Sequence, residues 1–505
     1  MRPSTIGALV RAQARDTPDA PATIHGGERR SWNELDADGD HWAALLVASG
    51  VASGDRIAIV GLSEPRFLRT FIGAARIGAV FVGLNPKYRP DELRHVLDDS
   101  APTLLLDPAG LLDGIEVGVP RLSGPAFAAA LAAAPPVPAD RLDTVDPGAP
   151  AAIVYTSGST GRPKGALLSH AALVRTAEVQ ARYWLTTTPP TMLCNLPINH
   201  VGAVGNICCT ALVTGGCLVF QERFDAGDVL DLIERERIDH WGAVPTMLQL
   251  SVAHERWPTT DLSSLRAIVW SGGMAPVNLV RELRSRCGTL RMSYGSTETV
   301  GEVCFADPDA DDAVLAETIG RPAAEYEVQL VDAEGRPCAP GAAGEIVVRG
   351  VCQALGYWNA PEATAELLDA DGWLHTGDLA VARLDGNLQL VGRTREMYKS
   401  GGYNVYPREV ELAIERHPAV VTAAVVSVPD ELYGEVGHAW VQAPAGKLDD
   451  GELREHLSGL LANYKLPKRI TIVEALPLLP IGKVDKRALA ARSTAAVNPE
   501  TGHQG

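Results

Sequence analysis

The sequence predicts an α/β protein: a large N-terminal domain of mainly parallel sheets flanked by helices, containing a small β-rich subdomain, followed by a small α+β C-terminal domain. Three observations predict it. Up to about residue 320, helical periodicity alternates with short apolar runs, the pattern of strands covered by helices. From there to Gly392-Arg393, short strands are separated by Gly/Pro turns. Beyond that dipeptide a compact alternation of helices and strands resumes, and 505 residues are too many for one core.

Taken in order, residues 32–49 read as a helix ended by Gly50, and Arg56-Ile57-Ala58-Ile59-Val60 as a buried strand. A helix over 65–77 and a strand over 79–82 follow. The Ala/Pro-rich stretch 128–138 reads as a loop or short helix without function. Apolar 151–155 and 217–220 read as strands, 226–237 as a helix, and 267–270 as a strand. Short strands at 327–331 and 345–349 mark the β-rich subdomain, about 320–393 of an N-terminal domain spanning 1–393. The C-terminal domain, 396–492, holds helices over 407–417 and 450–461 and strands over 423–428 and 469–473. Residues 493–505 are polar and expected to be a disordered tail.

Composition bounds the function. Hydrophobic residues at 46% and charged residues at 21% are ordinary for a soluble globular protein. A net charge of −17 argues against nucleic acid or an anionic membrane as partner, while a local basic patch leaves ATP or CoA open. Eight cysteines without a Cys-x-x-Cys pair read as buried free thiols. The sequence has no apolar signal core and no run of eighteen apolar residues, so no membrane span is expected and a cytoplasmic enzyme fits.

Residues 156–165 read Thr-Ser-Gly-Ser-Thr-Gly-Arg-Pro-Lys-Gly, directly after an apolar strand. Glycines at 158 and 161 let the backbone bend so that several N–H groups converge; with the hydroxyls of Thr156, Ser157, Ser159 and Thr160 and the ammonium of Lys164 they suit a polyphosphate. The spacing of Gly158, Gly161 and Lys164 is not that of a Walker A loop. In Ser293-Tyr294-Gly295-Ser296-Thr297-Glu298, a ring, hydroxyls and a carboxylate are grouped to stack a base, touch a phosphate and ligate Mg²⁺, although a helix N-cap explains Thr297-Glu298 equally well. Gly272-Gly273 follows a strand and admits a ligand close to the backbone. Asp378, in Gly-Trp-Leu-His-Thr-Gly-Asp, sits where a carboxylate accepts ribose hydroxyls or shapes a turn. A lysine after a glycine near the C-terminus, Lys483, carries little weight alone.

These motifs, with residues 392–411 (Gly-Arg-Thr-Arg-Glu-Met-Tyr-Lys-Ser-Gly-Gly-Tyr-Asn-Val-Tyr-Pro-Arg-Glu-Val-Glu) and Pro480-Ile481-Gly482-Lys483, resemble in order and separation the signatures of the adenylate-forming enzymes. That superfamily includes acyl-CoA synthetases, the CoA ligases of fatty and aryl acids. The resemblance runs over 6–489. It implies that 156–161 and Lys164 hold the phosphates, that Gly272, Gly273, Ser293, Tyr294 and Gly295 hold AMP with Tyr294 stacked on adenine, and that Thr297 touches the α-phosphate. Glu298 and Thr160 would bind Mg²⁺, Asp378 and Arg393 the ribose, and Lys483 would be the catalytic lysine. It further implies a hinge at 394–395 about which the C-terminal domain turns as a mobile lid; Arg395 stands where the family usually has Asp or Lys. Ser400, Gly401 and Gly402 would border a tunnel for the pantetheine arm of CoA. Asn199, His200, Val201, Gly202, Asn206, Met274 and Val300 would line the acyl pocket. That lining is mainly small and apolar and lacks the Asp with which peptide-synthetase domains hold an amino group, so a neutral medium-chain aliphatic, alicyclic or aryl acid is expected. The implied activity is ATP-dependent acyl-CoA synthesis through an acyl-adenylate. Loading of an acyl carrier protein, or non-catalytic binding, are the alternatives, and a homodimer is left open.

Overall fold

The structure, a computed structural model, describes residues 3–156, 162–479 and 484–495. The expectations placed on Ser157, Gly158, Ser159, Thr160, Gly161 and Lys483 lie outside the described residues.

Two large sheets carry the N-terminal part. In a nine-stranded sheet, Pro21–His25, Cys217–Phe220, Thr191–Cys194, His240–Ala243, Ala267–Trp270 and Leu290–Ser296 pair in parallel. Its edges are antiparallel: Glu28–Ser31 on one side, Gly301–Phe305 and Arg321–Pro322 on the other. The six-stranded sheet runs parallel through Arg121–Ser123, Leu104–Asp107, Arg56–Val60, Val80–Leu84 and Pro150–Thr156, then turns back antiparallel as Lys164–Ser169. Val80–Leu84 and Leu104–Asp107 are buried throughout, because helices cover both faces of such sheets. Helices Ile6–Asp16, Trp32–Ala48 and Pro65–Ile77 pack together around a buried guanidinium: Arg76 pairs with Asp36 and Asp40, which Arg11 also meets.

The β-rich subdomain is a four-stranded antiparallel sheet of Glu327–Val331, Ala343–Arg349, Leu374–Ala382 and Leu388–Arg393. The C-terminal domain builds its own sheet from Tyr403–Val405, Tyr398–Ser400, Gly434–Gln442 and Thr422–Asp430, with Arg469–Val473 parallel to Gly434–Gln442. Helices Pro407–Glu415 and Asp450–Ser458 bury Val410, Ile414, Leu453 and Leu457 in its core.

The Ala/Pro-rich stretch, expected as a loop or short helix, contributes the end of a helix, Gly124–Ala133. One local expectation shifts: 493–495, expected to belong to a disordered tail, lie in helix Lys486–Ala495, where Ser493 is buried and accepts a hydrogen bond from Trp440 Nε1 at 2.9 Å. The cysteines are free thiols, buried except for half-buried Cys338. Among the described residues, no helix is long and apolar enough to cross a membrane.

Candidate active site

The predicted nucleotide residues converge from four segments. Strand Leu290–Ser296 ends in the Tyr294-Gly295-Ser296 motif. Thr297 is buried in the turn that follows it, and the Val300 N–H donates to its carbonyl at 3.0 Å. Ser293 is fully buried and donates to the Trp270 carbonyl at 3.5 Å, tying the motif to the strand that leads into Gly272-Gly273. That pair is exposed, Gly272 at φ +78°, with only the Pro245 ring near Gly273, so the backbone there is open to a ligand.

Asp378 lies in strand Leu374–Ala382 and is 6% exposed. Both its oxygens are held: the Tyr294 hydroxyl donates to Oδ2 at 2.6 Å and Arg393 Nε to Oδ1 at 2.8 Å. The pairing of Asp378 with Arg393 across antiparallel strands puts those two side chains together. Burial, then the Asp378 charge, pushes the Tyr294 hydroxyl well above its ordinary range, so it stays a donor. The Asp378 charge raises the Arg393 guanidinium in turn, although that side chain is largely solvent-exposed. Tyr294 is thus the buried support of Asp378. Glu345 supports the same turn, taking the Gly377 N–H at 2.8 Å and His375 Nδ1 at 3.0 Å.

Glu298 stands at the end of strand Pro150–Thr156. Its Oε1 accepts from the Tyr357 hydroxyl at 2.8 Å and from Thr156 Oγ1 at 3.3 Å. Lys164 Nζ lies over the Tyr357 ring, 5.2 Å from its centroid. Burial and then Glu298 push the Tyr357 hydroxyl up, keeping it protonated toward the carboxylate. Tyr357 was not legible as a site residue. Its place is set by tertiary pairing, through a bridge to Ala166 and a Trp358 N–H bond to the Gly165 carbonyl at 2.7 Å.

Five of the predicted acyl residues, Asn199, His200, Val201, Gly202 and Asn206, lie on or just before an irregular segment. Gly202–Cys208 is a π-helix, a form found mostly as short insertions at functional sites. The Gly202 N–H donates to His200 Nδ1 at 3.1 Å, and Asn199 Nδ2 donates to the Tyr88 hydroxyl at 2.9 Å. Val201 and Asn206 are buried, and Met274 is half-buried against the core of the nine-stranded sheet. Val300 holds φ +59°, a left-handed conformation costly for a β-branched side chain, and Gly301 follows at +139°. Sequence reading missed Glu302, a buried carboxylate next to this turn.

On the C-terminal side, Gly401 (φ +56°) and Gly402 (φ +86°) form the turn between two short strands, both exposed, whereas Ser400 is buried. Arg395 reaches back to Glu366 at 3.1 Å. Lys486 joins Glu396 at 2.6 Å and Glu411 at 2.8 Å, tying the helix after position 483 to the segment after the expected hinge.

The chain matches the family described as AMP-binding enzyme over residues 10–358, and its partner description, AMP-binding enzyme C-terminal domain, over 409–483. It belongs to that family. A feruloyl-CoA synthase from Amycolatopsis sp is 37% identical over 97% of this chain and 100% of its own length. An indoleacetate–CoA ligase from Aromatoleum aromaticum is 38% identical over 90% and 91% of the two chains. Among solved structures, ATP-bound MatB from Rhodopseudomonas palustris superimposes with a TM-score of 0.89 at 29% identity, covering 97% of this chain and 99% of its own. The family member described here therefore has the adenylate-forming fold over its whole described length.

Proposed function

We infer that this protein is an ATP-dependent acyl-CoA synthetase, an AMP-forming acid–thiol ligase, and we propose an aromatic carboxylic acid as its substrate. The observation that supports the chemistry is that Asp378 is held between Tyr294 and Arg393 while Glu298, four residues after Tyr294, accepts from Thr156 and from Tyr357, whose ring Lys164 Nζ overlies. Feruloyl-CoA synthase and indoleacetate–CoA ligase, by their names, act on aromatic acids, which supports that class over the aliphatic one.

In the first step an oxygen of the acid attacks the α-phosphorus of ATP and the bond to pyrophosphate breaks. Negative charge grows on the phosphoryl oxygens, and fixed cations and donors oppose it at no reorganisation cost. Lys164 and the 156–161 loop hold the phosphates; Asp378 and Arg393 hold the ribose. Lys483 belongs to the C-terminal lid and meets both reactants. The site fits a hard divalent cation, since Glu298 Oε2 accepts no hydrogen bond among the described residues. Mg²⁺ held there by Glu298, with Thr160, would screen the phosphate charge. In the second step the CoA thiolate attacks the acyl carbon and AMP leaves as the oxygen–carbon bond breaks. The lid, residues 396–492, turns about 394–395 between the steps, withdrawing Lys483 and presenting Gly401-Gly402 to the pantetheine arm.

The test is the product set. With ATP, Mg²⁺, CoA and an arylpropenoate or arylacetate, one thioester, one AMP and one pyrophosphate are expected per turnover; ADP and phosphate would overturn the reading. Product with a phosphopantetheinylated carrier protein but none with CoA would move the acceptor to the carrier.

A further inference from the structure

Lys164 and Glu298 carry opposite charges, lie beside one side chain and do not pair. Thr156 and Lys164 stand directly opposite each other across antiparallel strands, so their side chains leave the sheet on the same face. The Thr156 hydroxyl reaches Glu298 Oε1 at 3.3 Å, so the carboxylate stands on the face from which the Lys164 stem departs. Among the described residues Lys164 nonetheless meets no carboxylate; its ammonium lies over the Tyr357 ring, 5.2 Å from the centroid. The hydroxyl at the end of that ring donates to Glu298 Oε1 at 2.8 Å. One phenol thus serves the cation with its ring and the anion with its tip.

The backbone that carries the phenol is fixed to both of the groups it serves. Residues 354–358 run alongside strand Lys164–Ser169: the Leu355 N–H donates to the Leu167 carbonyl at 2.8 Å, the Leu167 N–H to the Gly356 carbonyl at 2.9 Å, and the Trp358 N–H to the Gly165 carbonyl at 2.7 Å. The same run is tied to Glu298 itself, whose carbonyl takes the Ala354 N–H at 2.8 Å. The Tyr357 N–H donates to Thr364 Oγ1 at 2.9 Å. Without the ring, charge decides the outcome. Lys164 and Glu298 are both half-buried, where opposite charges attract more strongly than in water. Direct pairing would draw the ammonium from the phosphates and the carboxylate from a metal ion, so both charges would be lost to the proposed reaction together.

We propose that Tyr357 is a positioning residue that acts as a spacer: it keeps Lys164 available to the phosphates of ATP by preventing its collapse onto Glu298. This rests on the acyl-CoA synthetase reading and deepens it, since that reaction uses the lysine and the carboxylate as separate charges. The ring supplies the separation and the hydroxyl orients the carboxylate. The two parts can be removed one at a time.

The experiment measures ATP and AMP binding by titration calorimetry in EDTA, so that the readout is the state of Lys164 rather than turnover. Tyr357→Phe keeps a ring under the ammonium and is expected to bind ATP within about twofold of wild type. Tyr357→Ala is expected to weaken ATP by about 10-fold or more, the range for a lost hydrogen bond to a charged group, and AMP, which lacks the outer phosphates, by less than about twofold. The deciding comparison adds Glu298→Gln. With no charge at that position the lysine has nothing to collapse onto. The double variant Tyr357→Ala, Glu298→Gln is therefore expected to bind ATP within about threefold of Glu298→Gln alone, the non-additivity of groups in contact. A merely structural role for the tyrosine would leave the penalty in place. Tyr357→Leu, which fills the base of the site and ends short of Glu298, is expected to show the same pattern and covers a Tyr357→Ala that does not fold. A loss in Tyr357→Phe as large as in Tyr357→Ala, an equal loss for AMP, or a penalty that persists in the Glu298→Gln background each overturns the inference. The synthetase reading is judged separately, by acid-dependent pyrophosphate release from wild type with Mg²⁺; none with any acid overturns that reading, whatever the binding ratios.

Discussion

The Tyr294 hydroxyl donates to Asp378 Oδ2 at 2.6 Å, so an aromatic residue of one nucleotide motif fixes the carboxylate of another eighty-four positions away. With Arg393 on Oδ1, both oxygens of that carboxylate are held. Asp378→Asn turns an amide N–H₂ toward either Tyr294 or Arg393, both of which are donors. The expected result is an ATP KM raised about 10- to 100-fold, with kcat changed less, since one charge-assisted bond contributes ~1.5–3 kcal/mol. Tyr294→Phe is expected to raise the same KM by a smaller factor. Initial-rate kinetics at saturating acid and CoA check both.

Glu298→Gln keeps an oxygen for Tyr357 and Thr156 and removes only the charge. The fold is therefore expected to melt within a few degrees of wild type. Adenylate formation is expected to fall by ~10²–10³, the usual loss when one preorganised electrostatic group is removed. Single-turnover pyrophosphate release across a Mg²⁺ titration measures this.

Lys483→Ala is expected to abolish adenylate formation and to spare thioesterification of a supplied acyl-adenylate. Equal loss of both steps contradicts the turning lid. Arg395→Ala removes an exposed pair with Glu366 and should cost under ~1 kcal/mol of stability while changing the ratio of the two half-reaction rates.

Glu411 is a buried carboxylate between Lys486 and Arg408. Burial alone would raise its pKa, but the two cations outweigh it and hold the group below the ordinary carboxylate range. A depressed folded pKa contributes stability that is complete above the unfolded value, near ~4.3, and is lost as pH falls through the folded value. The melting difference between wild type and Glu411→Gln is thus expected to be constant from pH 7 to about 5 and to narrow below ~4.3. Calorimetric scans over that range test the sign.

What the sequence disclosed was whatever repeats at fixed local spacing. Strand 56–60 and helix 65–77 are set by apolar period and by Gly78, whose φ of +72° ends the helix. The Gly-rich and Asp-bearing motifs were visible because their chemistry lies within a few consecutive residues. Tyr357 and Glu302 were not. Each gains its place from a partner more than fifty positions away, Glu298 and Asn206 respectively, through a strand pairing or a π-helix that no local pattern announces. The helix through 495 was missed for the same reason: Ser493 looks like tail until Trp440 is found beside it.

The most direct measurement is acid-dependent exchange of labelled pyrophosphate into ATP, first without thiol and then with CoA added. Exchange that requires an aromatic acid, needs no thiol, and gives way to acyl-CoA and AMP when CoA arrives is the predicted result. An enzyme that binds ATP yet exchanges no pyrophosphate with any acid would contradict the account.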